Sequence, residues 1–194
     1  RLEDIVRNID DDCLIICRNT KPLIQLYFNL LSVNRTPSFV GNDILNSVVN
    51  FLKPYKKDTV KTFKEELHNE LKLLVAKKDE SDRSRLEYLL TKSNNETFTL
   101  IQNRLKYTDN LLIDNVIGDL KEKLSRKGDI KLCTIHKSKG LEHNTVYLLN
   151  ENLIPSKFAL TEEALVQENN IRYVARTRAK NNLYLLNLKE EEKD

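Results

Sequence analysis

Short unbroken apolar runs open and close the chain, and a long stretch of helical periodicity separates them. CLIIC (13–17) follows three aspartates at 10–12. A continuous apolar run of that length suits a strand covered on both faces, as in parallel sheets. Pro22 then sits near the first turn of a helical pattern, Leu23, Leu26, Tyr27, Leu30 and Leu31. PSFVG (37–41) reads as a second short strand, and Asn42 or Asp43 is placed to cap a helix bearing Ile44, Val48, Phe51 and Leu52. From about 54 to 126 lysine and glutamate dominate, and apolar residues recur at helical spacing. They are Val60, Phe63, Leu67, Leu71 and Leu74, then Leu86, Leu89 and Leu90, then Phe98, Ile101 and Leu105, then Leu112, Val116, Leu120 and Leu124. This predicts several amphipathic helices in a row, with Ser81 and Asn94 or Asn95 as caps. Strand rhythm returns in IKLCTI (130–135), TVYLLN (145–150) and NLYLLNL (182–188). A helix from Thr161 to about 179 lies between the last two, and EEEKD is a solvated tail. Strands alternating with helices argue an α/β layered sheet, with the helical block inserted into it.

Composition narrows the class. Of 194 residues, 40% are hydrophobic and 31% charged, which fits a folded core rather than a disordered chain. No apolar run approaches the roughly 20 residues of a membrane helix, and no secretory signal stands at Arg1. Methionine is absent, so an excised piece of a longer polypeptide is expected. Cys13, Cys17 and Cys133 are odd in number and two lie inside apolar runs, which reads as free thiols in a reducing compartment. They lack zinc-ligand spacing, so no metal site is expected. The net charge of +3 permits an anionic partner without requiring one.

Candidate chemistry gathers in two places. None of the four glycines is followed by Lys-Ser or Lys-Thr, so the chain contains no GxxxxGK[ST] phosphate cradle. Any nucleotide would be held from one side only. In RYVARTRAK (172–180), helical projection places Ile171, Val174, Ala175 and Ala179 on one apolar face with Arg178 in its middle. Arg178 is then either a snorkelling side chain or a guanidinium aimed at a phosphate. Glu168, Arg172 and Arg176 fall at i, i+4 spacing on the flank, where a surface ion-pair ladder is the plain expectation. The second place is the loop TIHKSKGLE (134–142), read as lying beyond a strand's C-terminal end, where open α/β sheets place ligands. Lys137 and Lys139 are candidates for phosphates, His136 for stacking or hydrogen bonding, and Glu142 for a sugar hydroxyl. Gly140 would allow a left-handed turn.

Together these stretches resemble a known family. TIHKSKGLE is similar to motif V, and QENNIRYVARTRAKNNLYLL to motif VI, of superfamily 1 helicases of the UvrD/Rep/PcrA type. LIICRNTKPLIQLYFNLLSVNRTPSFVGND resembles the segment that opens the second motor domain of that family. The resemblance covers about 12–43 and 130–188. It departs at His143, where the family usually has an aromatic residue. It departs also at Gln167-Glu168 for the acid pair and Asn169-Asn170 for the basic pair.

The resemblance implies an α/β, RecA-like three-layer domain with a mostly parallel sheet, interrupted by a helical subdomain. It implies boundaries at 1–50 and 128–194 for the two parts of the RecA-like domain. A shortened insertion corresponding to the family's 2B subdomain would occupy 51–127, either bracing the duplex or simply stabilising the fold. Arg178 would be the catalytic arginine on the γ-phosphate. Glu142 and Gly140 would serve the nucleotide, as would Arg18, whose role is less defined. Thr134, His136, Lys137 and Lys139 would face single-stranded DNA. ATP and Mg²⁺ would be bound mainly by an absent first motor domain of the same protein. The other partners would be single-stranded DNA and a duplex junction, with no membrane. The implied activity is 3′ to 5′ unwinding in DNA repair or replication, in the cytoplasm of a bacterium or, for a phage or virus gene, of its host. Two other readings stay open: a non-catalytic adaptor that retains the fold, and the motor domain of a helicase–nuclease subunit.

Overall fold

The computed structural model describes residues 2–76, 106–156 and 159–187. The periodic patterns at 86–105, the caps at 81 and 94–95 and the acidic tail lie outside the described residues. Contacts divide the chain into two units, 1–41 with 126–194, and Asn42–Ser125.

The first unit is built on five parallel strands: β1 (Cys13–Cys17), β2 (Pro37–Phe39), β3 (Ile130–Thr134), β4 (His143–Leu149) and β5 (Ala179–Leu186), in the order β2-β3-β1-β4-β5. Every residue of β1 is buried, as its unbroken apolar run requires of a central strand. Helices α1 (Leu2–Asn8) and α2 (Thr20–Ser32) cover one side. There Tyr27 of α2 stacks on Phe39 of β2, with ring centroids 4.6 Å apart. The other side carries a later helix, which we number α6 (Glu162–Arg176) because α3 to α5 belong to the second unit. Its Ala175, Ile171 and Val174 pack with Leu14, Ile16, Cys133, Val146 and Leu148. Three layers result, with the core on both faces of the sheet, and this is the expected α/β arrangement.

The thiols of Cys13 and Cys133 are pushed up to about 12, and that of Cys17 to about 11, chiefly by burial. All three are free and buried. Gly128, just before β3, allows the chain to pass against the Thr36 carbonyl, which a Cβ there would strike.

The second unit holds α3 (Asp43–Leu52), a 3₁₀ turn (Lys53–Tyr55), α4 (Val60–Ala76) and α5 (Ile113–Leu124). Asn42 occupies the N-cap of α3, but its side chain makes no capping bond. The core of this unit centres on Phe63, met edge-on by Phe51 and Tyr55, with Val48, Leu52, Val116 and Leu120 buried beside it. Tyr107 donates its hydroxyl to Asp119, which also holds Lys123 one turn on.

The expected boundaries on either side of Arg178 move. The helix read as running to about 179 stops at Arg176, where the Thr177 N–H bonds the Tyr173 carbonyl and its hydroxyl bonds that of Val174. Strand β5 therefore begins at Ala179, three residues before the apolar run that announced it, because pairing of Ala179 with His143 captures the chain.

Candidate functional site: two edges of one sheet

Strand order decides where the loop 134–142 goes. β3 and β4 are parallel, yet β1 lies between them. Thr134 ends β3 level with Cys17, and Cys17 is level with Leu149 at the far end of β4. The loop must therefore cross back over the sheet to reach His143, a span of about 20 Å for a seven-residue strand. It was expected between two strands, just beyond the C-terminal end of the first. It begins at that edge and finishes at the opposite one.

The crossing is made by tight turns. Ser138 donates its N–H to the carbonyls of Thr134 and Ile135 and its hydroxyl to Ile135, and Leu141 closes onto Ser138. Ile135, Ser138 and Leu141 recur every third residue and turn inward; Ile135 and Ser138 are buried. His136, Lys137 and Lys139 are left in solvent. Gly140 has φ +86, a left-handed conformation that glycine adopts without a Cβ penalty.

At the N-terminal edge the structure brings Gly140, Glu142 and Arg178 together. Arg178 follows the end of α6 rather than riding on its buried stripe, so helical projection does not apply to it. Its Nε donates to the Val174 carbonyl at 2.9 Å, one Nη to the Leu141 carbonyl at 2.9 Å, and the other to the Thr177 hydroxyl at 3.0 Å. These acceptors are neutral, and among the described residues Arg178 has no ion-pair partner. The His143 N–H bonds the Arg178 carbonyl at 2.9 Å, fixing the starts of β4 and β5 together. His143 also places its ring between Asp12, 3.0 Å away, and the Thr145 carbonyl, at 3.2 Å. The imidazole thus ties β4 to the aspartate turn, a bond that a phenylalanine there could not form. Glu142 is more than half exposed and 3.7 Å from Lys180. It borders a cleft of about 340 Å³ lined also by Leu14, Val40, Leu141 and His143. An accessible carboxylate beside an unneutralised guanidinium is a donor set that fits a sugar hydroxyl and a phosphate.

The C-terminal edge holds Thr134, His136 and Arg18. The structure does not bring Arg18 to Glu142 and Arg178. Its guanidinium engages Glu168, with the closest contact 2.8 Å, and the Ser156 N–H bonds the same carboxylate at 3.1 Å. Glu168 is 6% exposed. The Arg18 hydrogen bond, helped by Ser156, holds its carboxyl below the usual range despite the cost of desolvation.

The expected ladder of Glu168 with Arg172 and Arg176 is therefore not formed: both arginines turn to Glu151 instead. Glu151 and the Arg18–Glu168 pair were missed as elements of this edge. The signal for Glu168 was present, since it falls in register with Ile171 and Ala175 on the buried stripe of α6. An acid on such a stripe calls for a cation from elsewhere in the fold. Among the described residues no cluster of His, Cys, Asp and Glu is placed to hold a metal ion, and no helix is long and apolar enough to cross a membrane.

A family model, the UvrD-like helicase C-terminal domain, matches residues 46–190. The chain belongs to this family. YjcD of Bacillus subtilis is 42% identical over 81 residues, 38% of this chain and 10% of that protein. The ATP-dependent DNA helicase PcrA of the same species is 34% identical over 127 residues, 60% of this chain and 17% of PcrA. The mitochondrial ATP-dependent DNA helicase HMI1 of Saccharomyces cerevisiae is 44% identical over 64 residues, 33% of this chain and 8% of HMI1. The matched stretches thus span less than a fifth of the length of these relatives. The all-parallel sheet is that of a RecA-like domain of a UvrD-like helicase.

Proposed function

We propose that this chain is the second motor half of an ATP-driven single-stranded DNA translocase and helicase moving 3′ to 5′. ATP lies between it and a first motor domain, which supplies the phosphate cradle, the Mg²⁺ ligands and the base. Arg178 serves as the arginine finger on the γ-phosphate, and Glu142, next to the Gly140 turn, accepts from the ribose. Thr134, His136, Lys137 and Lys139 meet the DNA backbone at or near the other edge. Arg18 is removed from the nucleotide and anchors α6 through Glu168. The helical insertion expected at 51–127, nearly all of which falls in the second unit (Asn42–Ser125), is a shortened counterpart of the 2B subdomain. Because one loop runs from Thr134 to Glu142, domain closure on ATP moves both ends together, which couples hydrolysis to a step along the strand.

One observation carries this reading: Arg178 is held at the Glu142 edge by neutral acceptors alone. The test is displacement of a labelled strand from a duplex with a 3′ single-stranded tail, by this chain joined to its first motor domain. ATP-dependent displacement is expected, with none from the 194-residue chain by itself. A joined protein that binds ATP and DNA yet neither unwinds nor moves along the strand would overturn the reading in favour of an adaptor.

A further inference from the structure

A second groove lies where β4 and β5 end, lined by Glu151, Asn152, Arg172, Arg176, Leu185 and Asn187, with a volume of about 260 Å³. Two guanidinium groups share one carboxylate there. Arg176 Nε is 2.7 Å from Glu151 Oε1, and Arg172 Nε is 3.9 Å from the same oxygen. Two cations on one anion leave a net positive charge. Arg172 Nε is buried and has no hydrogen-bond partner among the described residues. The Nη groups of both arginines likewise donate to no described residue. Glu151 is only 13% exposed, so it holds both side chains in place while their outer nitrogens stay available. Leu185, half exposed, supplies an apolar wall. The groove shares its edge with Thr134 and His136, about 14 Å away across the strands β3-β1-β4-β5.

We propose that Arg172 and Arg176 bind a backbone phosphate of single-stranded DNA in this groove, extending the strand's path across the whole C-terminal edge. The proposal rests on the DNA-binding reading above and adds a site to it. Paired guanidinium donors fit phosphate oxygens, and sequence plays no part in such a contact.

The test follows the Arg172 and Arg176 Nε–H signals by NMR in the 194-residue chain. A short oligothymidylate is added, and inorganic phosphate is added separately at equal phosphate concentration. A chain ending at Asn187 is run alongside, because three glutamates at 190–192 follow the groove closely in sequence. Both arginine signals are expected to move with the oligonucleotide and not with phosphate. Arg172→Gln and Arg176→Gln are each expected to weaken oligonucleotide binding about 5- to 10-fold. Each should also lower the salt slope by about 0.7, the value for one phosphate contact on a single strand. Loss of structure alone would not change that slope in this way. An equal response to inorganic phosphate overturns the proposal in favour of a general anion site. Movement at His136 and Lys137 without the arginines overturns the groove and leaves the DNA reading standing. If no signal moves, both fall. Arginine signals that respond only in the shortened chain would assign the groove to the acidic tail and remove the proposal.

Discussion

Arg178 and Arg18 stand at opposite edges of the same sheet, and their surroundings separate their roles. Arg18 is answered by a buried carboxylate from α6, so its charge is spent inside the fold. Arg178 is also positioned by hydrogen bonds, but only to three carbonyls and a hydroxyl. Neutral acceptors orient a guanidinium without cancelling its charge, which remains available to an anion arriving from outside. The difference teaches that an arginine's function is better read from what its partners leave unneutralised than from how deeply it is buried.

The largest expected effect concerns turnover. In the protein joined to its first motor domain, Arg178→Ala should lower DNA-stimulated ATP hydrolysis by about 10³-fold or more, with ATP affinity little changed. Arg18→Ala should lower it only as far as the folded fraction falls. Equal losses in the two variants would erase the contrast between the edges.

Stability should show the reverse order. Glu168→Ala leaves Arg18 without its carboxylate and should cost about 2–3 kcal/mol in urea unfolding. That is below the full range for a buried pair, because the Arg18 side chain is 27% exposed. Arg178→Ala should cost about 1 kcal/mol. A larger loss for Arg178→Ala would make it the structural member of the two.

The acid limb sharpens this further. The Glu168 carboxyl is depressed in the folded state, so the unfolded chain takes up its proton more readily. The stabilisation is complete above the unfolded value, about 4.3, and is lost as pH falls through the folded value. Glu168→Gln should flatten that part of the stability profile, measured by urea midpoints at a series of pH values. An unaltered profile would show that the pair contributes nothing there.

The smallest effect is expected at Glu142. Its contact with Lys180 is long and exposed, so Glu142→Ala should change unfolding by less than about 0.5 kcal/mol. The same change should raise the KM for ATP. A normal KM would remove Glu142 from the nucleotide.

Much of this was legible in the residues, and what was not had a physical cause. β1 announced itself as an unbroken apolar run because a central parallel strand is covered on both faces. Thr161 was legible as an N-cap, and its hydroxyl accepts from the Ala164 N–H. The end of α6 was not, because Thr177, Arg178 and Ala179 continue a plausible helical pattern until β4 claims Ala179 as a partner. The Arg18–Glu168 pair joins residues 150 positions apart, which rules of i, i+4 spacing cannot reach. The path of the loop depended on β1 lying between β3 and β4, and strand order is not written locally in either run. The motif stretches stand out in sequence; the edge of the sheet at which their residues lie came from topology.

The most direct test is binding of ADP with aluminium fluoride, a mimic of the transferring phosphoryl group, to the joined protein and its Arg178→Ala variant. If Arg178 meets charge that develops in transfer, the variant should bind this mimic about 10³-fold more weakly while binding ATP nearly as well as before. Unchanged affinity for the mimic would contradict the account.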